Sequence, residues 1–290
     1  MAPTEGSRRL VIVIADDVGQ HEGTIEGVLR AHRDGVVTDA SVQATGAAFE
    51  QAVQALKGVP TLGVGVHLTV TGARPLLSRA EIPSIVGADG AFAPSAGRLL
   101  ARLASGLASP DAVRREWLAQ VRAVREAGLV PTHLTSHEHV HLWPSLWRVV
   151  VDLARRERIP YVRTVPRPSA VREALSRPSA VADLGGTLRC LAVASVAPRK
   201  KALPEAPPVL PDQFHGLRRS GRLEAAHLRA AAAELVEGVN EWMCHPGDAD
   251  GGGGAYQTRA ETDALCDASV REAVTAAGGR FVSARELLKP

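Results

Sequence analysis

Aromatic residues are few. Four Trp, four Phe and two Tyr make up 3% of the 290 residues, so the core has to be built mainly from Ala, Val and Leu. Cysteine is scarce as well. Cys190, Cys244 and Cys266 are odd in number and not closely paired, which argues against a disulfide framework. Reduced thiols and a cytoplasmic location are the expectation. No apolar run is long enough for a signal peptide or a membrane span. The stretch Leu10 to Ala15 is short and runs into two aspartates.

Charge of either sign is not in large excess: 34 basic against 31 acidic residues, a formal net charge of +3. No run of Lys and Arg is long enough for a nucleic-acid arm. The densest basic cluster, Arg199 to Lys201, lies in a Pro-rich stretch and reads as a solvated loop. Several motifs are missing too. There is no CxxC pair, HExxH helix, Walker loop or GxGxxG after a strand. Zinc-finger, zincin, nucleotide and dinucleotide readings therefore lose their main support.

What is present is a globular composition, 45% hydrophobic and 22% charged. Residues 1–8 read as a disordered lead-in. Arg9 to Ala15 is an apolar, β-branched run expected to form a buried parallel strand. Helices are expected over 23–33, 47–56, about 98–107, 110–127 and 146–156, with strands within 36–44, 62–70, 130–136 and 161–164. This alternation predicts an α/β fold with a parallel sheet, open or closed into a barrel. The Pro-rich stretch 165–221 breaks the pattern and reads as a variable insertion or lid, with local helix near 181–196. Order resumes with a helix over 223–237, a strand over 241–244, a Gly-rich loop at 251–254 and one helix over 258–277. Neither an internal repeat nor a second core is evident, so residues 9–290 read as a single domain.

Four segments carry chemistry, each at or just after an expected strand. Ala15-Asp16-Asp17-Val18-Gly19 sets two carboxylates at the end of an apolar strand, where parallel α/β folds assemble their sites. An Asp cap on the next helix explains one of them equally well. Gly63-Val64-Gly65-Val66-His67-Leu68 places one histidine in an apolar strand, beside glycines that permit close approach of other groups. Alone, His67 suits a structural histidine as readily as a ligand.

Thr132 to His141 holds four of the ten histidines, at 133, 137, 139 and 141. On a strand, residues 133, 135 and 137 share a face, and neutral imidazole is a ready metal ligand near pH 7. Trp242-Met243-Cys244-His245-Pro246-Gly247 ends another strand in a histidine and a turn. Asp17, His67 and His137 form a suitable triad for one divalent ion, with positions left open for water and a substrate carbonyl.

In order and spacing these four motifs resemble the YdjC-like carbohydrate deacetylases, which include chitooligosaccharide and hopanoid-associated deacetylases. The resemblance runs from about Arg9 to Leu287 and is faintest over 165–221. It implies a deformed (β/α) barrel of the polysaccharide-deacetylase type. It implies metal ligands at Asp17, His67 and His137, a general base at Asp16, and Arg163 orienting that base. By looser analogy it makes His245 the general acid. The cofactor implied is one divalent ion, Zn2+ or Mg2+. The reaction implied is removal of the acetyl group from an N-acetylated amino sugar or glycoconjugate.

No nucleic acid or transmembrane segment is expected, and a homodimer is compatible with the sequence. Val18, Ile25 and Ala44 stand where the family usually has Phe, Asn and Asn, so the usual sugar contacts are not all retained. Two other readings stand beside this one. A phosphoesterase or amidohydrolase would recruit His139 and His141 to a second metal. A silent sugar-binding protein would have lost an Asp of the pair or a metal histidine.

Overall fold

The computed structural model describes residues 9–175, 184–198, 208–248 and 256–288. Its centre is a sheet of eight strands: β1 (Arg9–Val18), β2 (Asp39–Val42), β3 (Gly63–Leu68), β4 (His133–Ser136), β5 (Tyr161–Val162), β6 (Gln213–His215), β7 (Gly238–Cys244) and β8 (Gly279–Phe281). Their order is β5-β4-β3-β2-β1-β7-β6, and β8 adds to β1. Every pairing is parallel. An all-parallel sheet has to be covered on both faces, and β1 is built for that: Val11, Ile12, Val13, Ile14 and Ala15 are all fully buried.

The two faces of β1 bury against different partners. Val11, Val13 and Ala15 join the large cluster that packs the sheet against its helices. Ile12 and Ile14 join a small cluster with Tyr161 of β5, Val239 of β7, Val282 and Ala284. In the sheet path β5 is four strands from β1 on one side and β7 adjoins it on the other. Side chains from these strands meet only because the sheet curls on itself. The result is a single-domain α/β half-barrel.

Among the described residues, ten α-helices accompany the sheet: α1 (Glu22–Arg33), α2 (Phe49–Lys57), α3 (Ala96–Ala104), α4 (Pro110–Glu126), α5 (Pro144–Arg156), α6 (Arg167–Leu175), α7 (Leu184–Val196), α8 (Ala225–Ala233), α9 (Thr258–Leu265) and α10 (Ala268–Ala276). Local chemistry sets their ends. Ser109 caps α4 by accepting from Asp111 N at 3.2 Å, with Pro110 at the first helical position. Among the described residues no helix is long and apolar enough to cross a membrane.

The structure departs from the expected elements in four places. β1 runs on to Val18, so both aspartates lie inside it. The one helix expected over 258–277 is two, because Asp267 accepts from Ser269 N at 2.9 Å and caps a new start. β8 was not foreseen; a strand of three residues is too short for periodicity to reveal. The Pro-rich 165–221 stretch is not wholly outside the barrel, since it supplies α6, α7 and the edge strand β6. The lead-in at 1–8, the basic cluster at 199–201 and the Gly-rich loop at 251–254 lie outside the described residues.

Candidate metal centre

Neighbouring side chains on a regular strand point to opposite faces, so Asp16 and Asp17 should not reach the same place. A bulge in β1 brings them together. Its register with β2 pairs Ala15 with Ala40 and then Val18 with Val42. Three steps on one strand match two on the other. Asp17 absorbs the extra residue with a left-handed backbone, φ 57°, a conformation that Asp tolerates better than most residues. Both carboxylates then face the mouth of the half-barrel, at the C-terminal ends of its strands.

Around them the barrel interior is polar. His67 of β3 sets Nε2 3.1 Å from Asp17 Oδ1. Its Nδ1 lies 2.7 Å from Thr135 Oγ1, and that hydroxyl is itself hydrogen-bonded to Ser41. This orients the ring as an outer partner orients a metal ligand. His137 sets Nδ1 2.9 Å from the same Asp17 oxygen. It does so from outside the strand: β4 ends at Ser136, and Glu138 and His139 follow with φ 54° each. The expected shared face of 133, 135 and 137 therefore stops at 135, and a tight left-handed turn aims His137 instead.

Among the described residues, Asp17, His67 and His137 are the one group whose ligand atoms converge, all within 4.8 Å. Two imidazole nitrogens and one carboxylate oxygen on a common point suit a divalent cation. Burial alone would raise Asp17. The two imidazoles outweigh it and hold the carboxyl well below the usual range. Burial would lower His137, but its bond to Asp17 lifts it to about 9.

Asp16 is 2% exposed. Burial pushes its carboxyl up, and the Arg163 guanidinium, helped by His67, brings it below the ordinary value. Arg163, fully buried just past β5, donates through NH1 to Asp16 Oδ2. Asp16 Oδ1 is buried with no hydrogen-bond partner and lies 3.7 Å from His67 Nδ1. His245 follows β7. Its backbone N–H donates to Glu261 at 2.5 Å, and its ring stands 4.8 Å from that of Tyr256. Its Nδ1 is likewise buried without a partner.

These residues open into a cavity of about 700 Å3. Asp16, Asp17, His67, His137 and His245 lie on one side. Leu100 of α3, Trp143, and Val193 and Val196 of α7 lie among the rest.

The other three histidines of the cluster do not join the triad. His141 is fully buried between Ser136 Oγ at 2.5 Å and the carbonyl of Arg163 at 2.9 Å, a structural role. His139 stacks edge-on near Phe214, with ring centroids 6.0 Å apart. His133 is fully buried and is not among the converging ligands. Asp39, its neighbour at 3.8 Å, is pushed up to about 6 by burial. The glycines of β3 make room for these groups, as their position suggested. A Cβ on Gly65 would overlap the His133 ring, and one on Gly63 would overlap Asp39. Gly65→Ala should therefore cost about 1–3 kcal/mol of stability by overpacking, read as a lower thermal midpoint, and should weaken the triad above it. An unchanged midpoint would show that His133 moves aside freely.

Sequence reading missed Glu241, Tyr161, Thr135 and Glu261. The acid within the apolar strand Gly238–Cys244 was the available signal. Glu261 accepts from His245 N at 2.5 Å and Leu223 N at 3.1 Å, and burial pushes it up to about 8. A carboxyl raised in the folded state binds its proton more tightly there than in the unfolded chain. Stability should fall as pH rises from about 4.5 to about 8. Urea unfolding of Glu261→Gln across that window should show a shallower fall than the parent, and equal slopes would contradict this account.

Known proteins resemble this chain along most of its length. A carbohydrate deacetylase of Geobacillus stearothermophilus is 41% identical over 152 residues, 52% of this chain and 58% of that protein. The chain thus matches little more than half the length of that relative. A chitooligosaccharide deacetylase of Proteus mirabilis is 28% identical over 285 residues, 96% of this chain and 99% of the relative. A crystal structure from Enterococcus faecalis V583, of a candidate cellobiose-phosphate cleavage protein, superposes with a TM-score of 0.73 at 25% identity, covering 97% and 99% of the two chains. The YdjC-like protein family matches residues 10–276, and the chain belongs to that family.

Proposed function

We propose that this protein is a metal-dependent hydrolase that removes the N-acetyl group from an N-acetylated amino sugar or glycoconjugate, giving acetate and a free amine. One observation carries the reading. The convergent triad Asp17, His67 and His137 stands beside Asp16, whose Oδ1 is a buried acceptor without a partner. The names borne by the relatives, carbohydrate deacetylase and chitooligosaccharide deacetylase, point the same way.

Asp17, His67 and His137 would hold the ion, with Thr135 fixing the His67 ring. Two imidazoles favour Zn2+, and a carboxylate site with retained waters suits Mg2+. Such an ion lowers the pKa of water and polarises a carbonyl. Asp16 takes a proton through Oδ1 as water adds to the acetamide carbon. Arg163 keeps the other Asp16 oxygen occupied and the carboxylate ionised. As the carbon–nitrogen bond breaks, His245 delivers a proton to the departing amine. The segment 165–221 shapes the acceptor side through α7. With Leu100, Trp143, Val193 and Val196 on the cavity wall, an acceptor carrying apolar surface fits better than a long polar chain.

The test is acetate release from a panel of N-acetylated sugars and glycoconjugates, using metal-stripped protein and protein restored with Zn2+ or Mg2+. Release that requires the ion is the expected result. An equal rate in stripped and restored protein would overturn the reading.

A further inference from the structure

Beneath the proposed site lies a buried charge that the reaction does not touch. Glu241 is fully buried on β7, at an interior position two residues from Val239 and opposite Ile12 of β1. Packing alone would be satisfied there by an apolar residue, and burying a carboxylate is costly. Both of its oxygens are engaged. Oε1 accepts from Arg163 Nε at 2.5 Å, and Oε2 accepts from Tyr161 OH at 2.5 Å. Glu241 does not line the active cavity.

Guanidinium groups prefer to grip a carboxylate with two parallel N–H donors. Among the described residues, the acidic partners of Arg163 are Asp16 and Glu241. A two-donor grip on Asp16 would place an N–H on each of its oxygens, Oδ1 included. In the structure Nε donates to Glu241 and Nη1 to Asp16 Oδ2, while Nη2 is buried with no hydrogen-bond partner. Asp16 Oδ1 is left unpartnered. Phe214, with its ring centroid 5.6 Å from Arg163 Cζ, flanks the guanidinium.

We infer that Glu241, itself fixed by Tyr161, is a positioning residue that holds Arg163 in a one-handed grip on Asp16 and so keeps Asp16 Oδ1 free to accept a proton. This inference rests on Asp16 being the base, as proposed above.

The test is a double-mutant cycle on the metal-loaded protein, read as acetate release. Loss of an outer partner of this kind costs on the order of 10–100-fold in activity. Glu241→Ala should lower kcat by that factor while leaving KM and metal content unchanged. In an Asp16→Asn background, Glu241→Ala should cause no further loss, because the group it serves is already gone. If Glu241→Ala does not fold, Glu241→Gln, which keeps the shape and loses the charge, replaces it in the same cycle with a loss of about 10-fold.

Losses that multiply in the double variant would overturn the inference, because Glu241 would then act by another route. So would a change confined to KM or metal content, or a wild-type kcat in both Glu241 variants. If Asp16→Asn itself keeps full turnover, the assignment of the base fails instead, and the cycle separates that failure from this one.

Discussion

Replacing Asp17 or His137 is expected to abolish metal binding and turnover together. Asp17 Oδ1 is the atom that both imidazoles approach, at 3.1 and 2.9 Å, so its loss leaves two rings with no shared acid. Removing a group that merely orients a ligand costs on the order of 10–100-fold in metal affinity or activity. Removing a ligand of a three-residue set should cost more than about 100-fold. Asp17→Asn is the sharper variant. Asn tolerates the left-handed backbone at this position, where Ala would add strain. His137→Ala should behave alike, although it sits in a different turn. Elemental analysis of the purified variants, with acetate release measured alongside, checks both. A variant that keeps one equivalent of metal and wild-type turnover would remove that residue from the triad.

Asp16→Asn should give the complementary result, with metal retained and turnover lost. A positioned general base contributes about 10²–10⁴-fold, so kcat should fall by a factor in that range. The amide keeps the volume, and its oxygen can still accept from Arg163, so the fold should hold. The two results together separate binding from proton transfer at adjacent residues of one strand. Full turnover in Asp16→Asn would show that the proton goes elsewhere, and Glu241 would lose its purpose with it.

Much of this was legible along the chain. The β-branched run after Arg9 identified β1, because a parallel strand buried on both faces must be apolar throughout. The alternation of strands and helices identified the parallel sheet. The histidine cluster at 133–141 marked a site, and the order of the four motifs marked the family. The six residues singled out do gather at one end of the barrel: Asp16, Asp17, His67 and His137 at the cavity, Arg163 beneath it and His245 at its side.

Other features could not be read, for physical reasons. Periodicity treats 133, 135 and 137 as one face, but Glu138 and His139 adopt left-handed backbone and turn His137 out of the strand. Asp267 looks like an interior helix residue until its side chain caps Ser269. Glu241 and Tyr161 are 80 residues apart and meet only because the sheet curls.

The sequence by itself determined which chemistry was on offer: two carboxylates after an apolar strand, a histidine between small glycines, a dense histidine motif and a terminal His-Pro-Gly. Residue type and order are local properties, and strand ends in parallel folds are where such groups collect. Only the tertiary structure decided which of them act together. It brought Asp17, His67 and His137 together and left His139 and His141 outside that group, through a one-residue bulge in β1 and a left-handed turn after β4. It left one oxygen of Asp16 free through a guanidinium shared with a distant glutamate. Register, curl and burial are set by the packing of the whole chain, and they decide where a side chain points and what it can reach.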